Sequence, residues 1–193
     1  MANILITGAN RGIGRALFDR YAARGDDVTG TYRSTQPETG AWLPLDVADP
    51  TSFDTLCQGF RLDSLDVLIC NAGVFLDKGH SLADGYPPQL WADSFATNVT
   101  GVFLSVQAML PKLQLSHAPK IAIISSQMAS SERAPGGSYI YRASKAAALN
   151  LGRNLASDLK GLGISVGIYH PGWVQTDMGG GAADITVDAS ADG

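Results

Sequence analysis

Tyr141-Arg142-Ala143-Ser144-Lys145 sets a phenol and an ammonium four residues apart. On a helix, residues i and i+4 share one face, so the two groups can lie side by side. A cation beside a tyrosine favours phenolate and lowers a pKa that starts near ~10. Such a tyrosine can pass a proton to or from a substrate oxygen near neutral pH. On its own the pair is a common surface feature, and Tyr139, whose i+4 residue is Ala143, cannot form it.

A second group of residues lies at the other end of the chain. Thr7-Gly8-Ala9-Asn10-Arg11-Gly12-Ile13-Gly14 follows a β-type run, Asn3–Thr7, and opens a helical pattern over Arg11–Arg24 that stops at Gly25. Glycine permits positive φ and close backbone approach, so N–H groups at the helix start can meet a pyrophosphate. A glycine pattern alone also describes an ordinary strand-to-helix turn. Its place between a strand and an amphipathic helix, with a second strand at Val28–Tyr32, points to dinucleotide binding.

The end of that second strand discriminates between NAD and NADP. An NAD site carries an acid about 20 residues on, accepting from the ribose 2′-hydroxyl. Tyr32-Arg33-Ser34-Thr35 holds no carboxylate, and Asp26 and Asp27 lie at the wrong end of the strand. Arg33, with Arg11 from the glycine loop, can pair with a 2′-phosphate instead, so NADP(H) is expected over NAD(H). The competing reading makes both arginines solvated surface charges.

These residues need a scaffold that brings them together. Asp49-Pro50 reads as an N-cap and first helical residue, and Phe53, Leu56, Cys57 and Phe60 then fall on one helical face. Val67–Cys70 reads as a buried strand. Phe95, Val99, Val102, Phe103, Val106 and Leu110 mark one long helix ending near Pro111. Ile121–Ser125 reads as a strand, Ser138–Lys160 as a helix, and Ile164–Tyr169 as the last clear strand. Alternation of this kind predicts a single α/β domain over residues 1–193: a Rossmann-type, doubly wound parallel sheet with helices on both faces. Ligands in such sheets sit beyond the carboxyl ends of the strands, where both motifs fall.

Composition narrows the possibilities. Of 193 residues 45% are hydrophobic and 17% charged, which suits one globular core. The net charge of −4, without a run of Lys or Arg, argues against a nucleic-acid or membrane-surface partner. Cys57 and Cys70 form no metal or disulfide pattern, so no metal is expected. Met1 runs straight into Ile4-Leu5-Ile6 with no basic leader and no long apolar segment, so a cytoplasmic location is expected.

Taken with Asn71-Ala72-Gly73 after the Val67–Cys70 strand and Pro171-Gly172 after the last one, the sequence resembles the short-chain dehydrogenase/reductase family, in order from Asn3 to about Asp177. The stretches Ser125-Ser126-Gln127-Met128, Tyr141–Lys145 and His170-Pro171-Gly172-Trp173 look most like its compact carbonyl-reductase and C-factor-like branch. The resemblance implies that Tyr141 is the general acid/base and that Lys145 lowers its pKa and binds the nicotinamide ribose. It implies that Ser126 holds the substrate oxygen and that Asn98 completes a proton relay with Lys145 through water. Thr7, Gly8, Asn10, Arg11, Gly12, Ile13 and Gly14 would cradle the dinucleotide, with Asp46 and Val47 at the adenine. Asn71, Ala72 and Gly73 would line the cleft, and Pro171, Gly172, Val174 and Thr176 would meet the nicotinamide.

Each has a plainer alternative. Asn98 can cap or kink its helix, and Asp46 can close an Asx-turn. Ser125, Ser130 and Ser131 compete with Ser126, whose gap to Tyr141 exceeds the commonest family spacing, which falls on Met128. The three histidines, His80, His117 and His170, match no catalytic role, and Trp173 alone among the tryptophans is expected beside the substrate cleft, next to Pro171-Gly172.

The family pattern thins after Gly179, and Asp184–Gly193 reads as the approach to a further helix, so the family's last elements are expected to be missing. The resemblance implies hydride transfer between nicotinamide and a small carbonyl or alcohol substrate, in a homodimer or homotetramer formed through the long helices. A catalytically weak NAD(P)-binding sensor is the rival function.

Overall fold

The computed structural model describes residues 1–192. Gly193, the last residue of the stretch expected to approach a helix, lies outside them. Six strands form one parallel sheet within the described residues: β1 (Asn3–Ile6), β2 (Asp27–Tyr32), β3 (Ala41–Pro44), β4 (Val67–Cys70), β5 (Lys120–Ile124) and β6 (Ser165–Tyr169). Their order is β3-β2-β1-β4-β5-β6. The chain therefore reverses its direction of growth between β1 and β4, and a crevice opens beyond their carboxyl ends.

The sheet is buried on both faces because its strands alternate side chains between two apolar layers. Ile4 and Ile6 of β1 pack with Phe18 of α1 (Gly12–Ala23), together with Trp42 and Ile69. Leu5 points the other way, into a larger layer with Leu56 of α2 (Ser52–Gly59), Val106 and Met109 of α4 (Gly101–Leu113) and Leu155 of α5 (Tyr139–Leu159). A short terminal helix, α6 (Val187–Asp192), lies against α1, and Arg20 pairs with Asp192. Among the described residues no helix is long and apolar enough to cross a membrane.

Four local expectations are corrected. β3 forms in a segment with no strand assigned to it, because Trp42 is buried against Phe18 with ring centroids 4.4 Å apart. Gly30 makes room for it: a Cβ there would stand 2.2 Å from the Trp42 ring. α2 starts at Ser52, not at Pro50. Asp49 instead accepts from the Thr51 N–H and hydroxyl in the preceding turn.

The single long helix expected over Phe95–Leu110 is three consecutive segments. α3 (Pro88–Phe95) runs into a π-helical turn, Ala96–Thr100, and then into α4. The last of them passes through Pro111. Its final turn is held from outside: the Lys112 ammonium donates to Leu62 O, the Lys112 carbonyl accepts from Leu65 N, and Leu113 is fully buried. These tethers offset the hydrogen bond that proline removes.

Candidate active site

The cleft is built first from backbone. Gly8 (φ +63°) and Gly12 (φ +56°) occupy the left-handed region, which side chains disfavour. Gly14 has a different reason to lack a side chain, since a Cβ there would stand 2.4 Å from Asn71 Nδ2 and 2.6 Å from Gly8 O. Gly14→Ala is expected to cost about 1–3 kcal/mol of stability through overpacking against backbone. A urea-unfolding midpoint equal to that of the wild type would refute the close approach. The first turn of α1 receives no side-chain cap from Arg11, so its leading N–H groups face the crevice without one.

Thr7 and Asn71 hold the two strand ends together. The Thr7 hydroxyl, 1% exposed, accepts from Asn71 N and Ala72 N, both at 3.1 Å. Asn71 Nδ2 donates to Thr7 O and Gly8 O, both at 3.0 Å. Their side chains are spent on the loop, so they shape the cleft and leave ligand contact to main chain. Val47 likewise belongs to the core and packs beneath Gly101, where a Cβ would stand 2.7 Å from Val47 O. Asp46 closes an Asx-turn on Ala48 N at 3.0 Å. Any contact of Asp46-Val47 with an adenine therefore falls to the Asp46 edge and the backbone.

The two arginines differ in their partners. Arg11 Nη1 lies 2.6 Å from Asp177 Oδ2 in a pair that is mostly exposed to solvent, and Arg33 is exposed just beyond β2 with no ion-pair partner among the described residues. An exposed pair of this kind is weak and leaves Arg11 able to exchange partners.

At the other end of the crevice α5 carries Tyr141 and Lys145, both buried, with the Lys145 Nζ 5.8 Å from the Tyr141 ring centre. Lys145 Nζ donates to Ile124 O at 2.9 Å. Burial pulls its pKa down to about 8. Burial raises the Tyr141 phenol above its ordinary value, and the Ser126 hydroxyl works in the opposite direction. The net direction of the Tyr141 phenol is therefore set by burial, opposed by Ser126. Desolvation acts on both groups, and Ser126 is the residue that favours phenolate.

The choice among serines is made by their partners. Ser125 is buried and donates to Lys145 O at 3.2 Å, whereas Ser130 accepts from Glu132 N on the surface. Ser126 accepts from Met128 N at 3.1 Å and faces Tyr141. Asn98 sits in the π-helical turn, 1% exposed. Its Nδ2 donates to Val74 O and Ser144 Oγ, and its Oδ1 accepts from Val74 N. The side chain is fully engaged as a brace between α5 and the loop after β4. Extra turns of this kind recur at functional sites because they re-aim side chains. Gly73 lets this region close up: a Cβ there would stand 3.3 Å from Asn98 Oδ1 and 3.4 Å from Lys145 Nζ.

A cleft of about 600 Å³ opens between these elements. Ile13, Ser126, Tyr141, Pro171, Gly172, Val174 and Thr176 line it, as expected. Trp173 does too. Phe75, Met128, His170 and Met178 also line it; Phe75 and Met178 fall in the segments Phe75–Gln89 and beyond Thr176, where variable substrate-side residues are expected, and Met128 and His170 are not expected there from sequence. Phe75 stacks on Tyr141 with centroids 4.3 Å apart. His170 had one available signal, its place immediately before Pro171-Gly172. The other three carry no pattern in sequence. Asn10 is half-buried in the glycine loop, and Ala72 backs Gly8.

Residues 2–184 match the family model described as short chain dehydrogenase. The chain belongs to that family. It is 32% identical over 185 residues to the 3-oxoacyl-(acyl-carrier-protein) reductase FabG of Escherichia coli, covering 90% of this chain and 74% of the relative. Among solved structures it resembles the NADPH-bound carbonyl reductase from chicken fatty liver, with TM-score 0.88, 28% identity and coverage of 100% and 88% of the two chains. The carbonyl reductase Sniffer of D. melanogaster aligns with TM-score 0.90 at 28% identity, covering 99% and 88%. The protein is thus an oxidoreductase of the short-chain dehydrogenase/reductase type with carbonyl-reductase-like neighbours, and its parallel sheet is theirs.

Proposed function

We propose that this chain is an NADP(H)-dependent reductase of small carbonyl compounds, in which Tyr141 protonates the substrate oxygen. The single observation behind this reading is that Tyr141 and Ser126 line one cleft with Ile13 of the glycine loop, with the Lys145 ammonium 5.8 Å from the Tyr141 ring centre. The residues present suit a dinucleotide: two left-handed glycines, an uncapped α1 N-terminus and a free Arg33. When bound, nicotinamide supplies or accepts the hydride at C4.

The chain's own part is orientation and proton transfer. Ser126 Oγ holds the carbonyl oxygen. A phenol with a raised pKa is fully protonated at neutral pH, which suits a donor to that oxygen as negative charge develops on it. Lys145, with a pKa near 8, lies below the raised Tyr141 phenol, so its ammonium can return the proton to Tyr141 downhill. Asn98 keeps α5 braced against the cofactor side through Val74 and Ser144. Phe75, Met128, Trp173 and Met178 give the substrate side an apolar wall that sheds water. NADPH-bound neighbours support the phosphorylated cofactor, and Arg33 is the residue assigned to its 2′-phosphate.

Oxidation of NADPH followed at 340 nm over a panel of aldehydes, ketones and quinones tests this reading. Turnover with NADPH at least about tenfold more efficient than with NADH is expected. Arg33→Asp is expected to weaken NADPH binding by about 1.5–3 kcal/mol, the value of a charge-assisted bond, and to leave NADH binding nearly unchanged. Equal losses for the two cofactors would remove Arg33 from the site. Self-association through α4 and α5 belongs to the same proposal, and sedimentation giving a monomer would count against it.

A further inference from the structure

Asp77 is 0% exposed, yet no part of the chemistry above uses it. Its Oδ2 accepts from Ile140 N at 2.8 Å and its Oδ1 from Tyr141 N at 3.2 Å. These N–H groups belong to the first turn of α5, which otherwise lacks partners. Ser138, the N-cap, is left-handed at φ +47°, the one non-glycine residue with positive φ among those described, and its side chain makes no cap. The helix that carries Tyr141 and Lys145 is therefore capped from a distant segment, 63 residues back along the chain.

That segment is the loop after β4, and three more of its residues touch different parts of the active site. Asn71 holds the glycine loop, Val74 holds Asn98, and Phe75 stacks on the Tyr141 ring. A cap inside α5 itself would stabilise the helix and say nothing about where it lies. A cap from this loop fixes the height and direction of α5 relative to the cofactor strand.

We propose that Asp77 is a positioning residue for the reaction: it holds Tyr141, through its backbone N–H, at the depth set by the β4 loop. This rests on the reductase reading. Catalysis depends steeply on such placement, because displacement of a reacting group by about 1 Å can cost on the order of 10²-fold.

The test separates positioning from stability. Asp77→Ala removes both acceptors, and Asp77→Asn keeps one while offering a misplaced N–H₂. Ser138→Gly relieves the left-handed strain and is expected to raise the Tm slightly, so Asp77→Ala/Ser138→Gly offsets part of the lost stability without restoring the link. With 4-nitrobenzaldehyde and NADPH, the double variant is expected to lose about 10- to 100-fold in kcat relative to Ser138→Gly alone, with KM and the NADPH Kd within about twofold. Asp77→Asn is expected to fall between. Amide hydrogen exchange, which needs no turnover, should accelerate at Ile140 and Tyr141 and stay unchanged in the second half of α5. A double variant with the kcat of Ser138→Gly, or with unchanged protection at Ile140 and Tyr141, would overturn the proposal. Wild-type protein that binds NADPH but reduces nothing in the panel would instead overturn the reductase reading, and Asp77 would then be judged by exchange alone.

Discussion

Tyr141→Phe is expected to lower kcat by about 10³-fold while leaving the NADPH Kd within about twofold. General acid–base catalysis by a positioned side chain contributes about 10²–10⁴-fold, and Phe removes the only proton that the ring can give. The phenyl ring keeps its stack on Phe75, so the cleft should hold its shape. Fold is also protected, because Tyr141 makes its backbone contact with Asp77 through the N–H, which Phe retains. The measurement is steady-state turnover over the carbonyl panel alongside NADPH fluorescence titration. A variant as active as the wild type would move the proton donor elsewhere in the cleft, to Ser126 or His170. A wild type and variant equally inactive with tight NADPH binding would favour the sensor function.

Lys145→Met is expected to produce opposite effects on activity and stability. The ammonium is 5% exposed, and burial brings its pKa from 10.5 to about 8, which corresponds to roughly 3 kcal/mol of unfavourable charge burial at neutral pH. Met fills similar space without the charge but gives up the bond to Ile124 O. The net expectation is a gain of about 1–2 kcal/mol in stability at pH 7, with kcat lower by at least about 10²-fold.

The pH dependence gives a second check with a definite sign. Below pH 8 Lys145 is protonated in both folded and unfolded chains, and the full penalty applies. Between about 8 and 10.5 the unfolded chain holds the extra proton, so wild-type stability rises with pH relative to Lys145→Met. The gap between the two should therefore close across that window. Urea unfolding at pH 7 and pH 10 measures it, and a variant less stable than wild type at pH 7 would mean that the bond to Ile124 outweighs desolvation. Such a residue, costly to the fold and retained, fits a site in which stability is given up for function.

The α/β alternation, the glycine loop and the Tyr141–Lys145 pair were all legible without coordinates, because each is a local pattern. Period, glycine spacing and i,i+4 geometry depend on neighbours a few residues away. β3 escaped notice because its single buried anchor, Trp42, has no alternating partner until Gly30 and Phe18 are brought against it. The π-helical turn at Asn98 was hidden for the same reason: nothing in Ala96–Thr100 departs from a helical sequence, and the brace to Val74 and Ser144 comes from two other elements.

Charges and ionisation were the least accessible. Arg11 and Arg33 look equivalent in sequence, and only folding brings Asp177 to one of them. The lysine next to a tyrosine suggests a lowered phenol pKa, whereas burial, which spacing does not report, raises it. Sequence by itself thus determined five of the six strands, the cofactor loop and which tyrosine stands beside a lysine, since those follow from short-range spacing. Tertiary structure alone decided which serine faces that tyrosine, that Arg11 meets Asp177 and that Asp77 caps the helix bearing the tyrosine. Those outcomes depend on desolvation and on partners tens of residues away, and neither exists until the chain has folded.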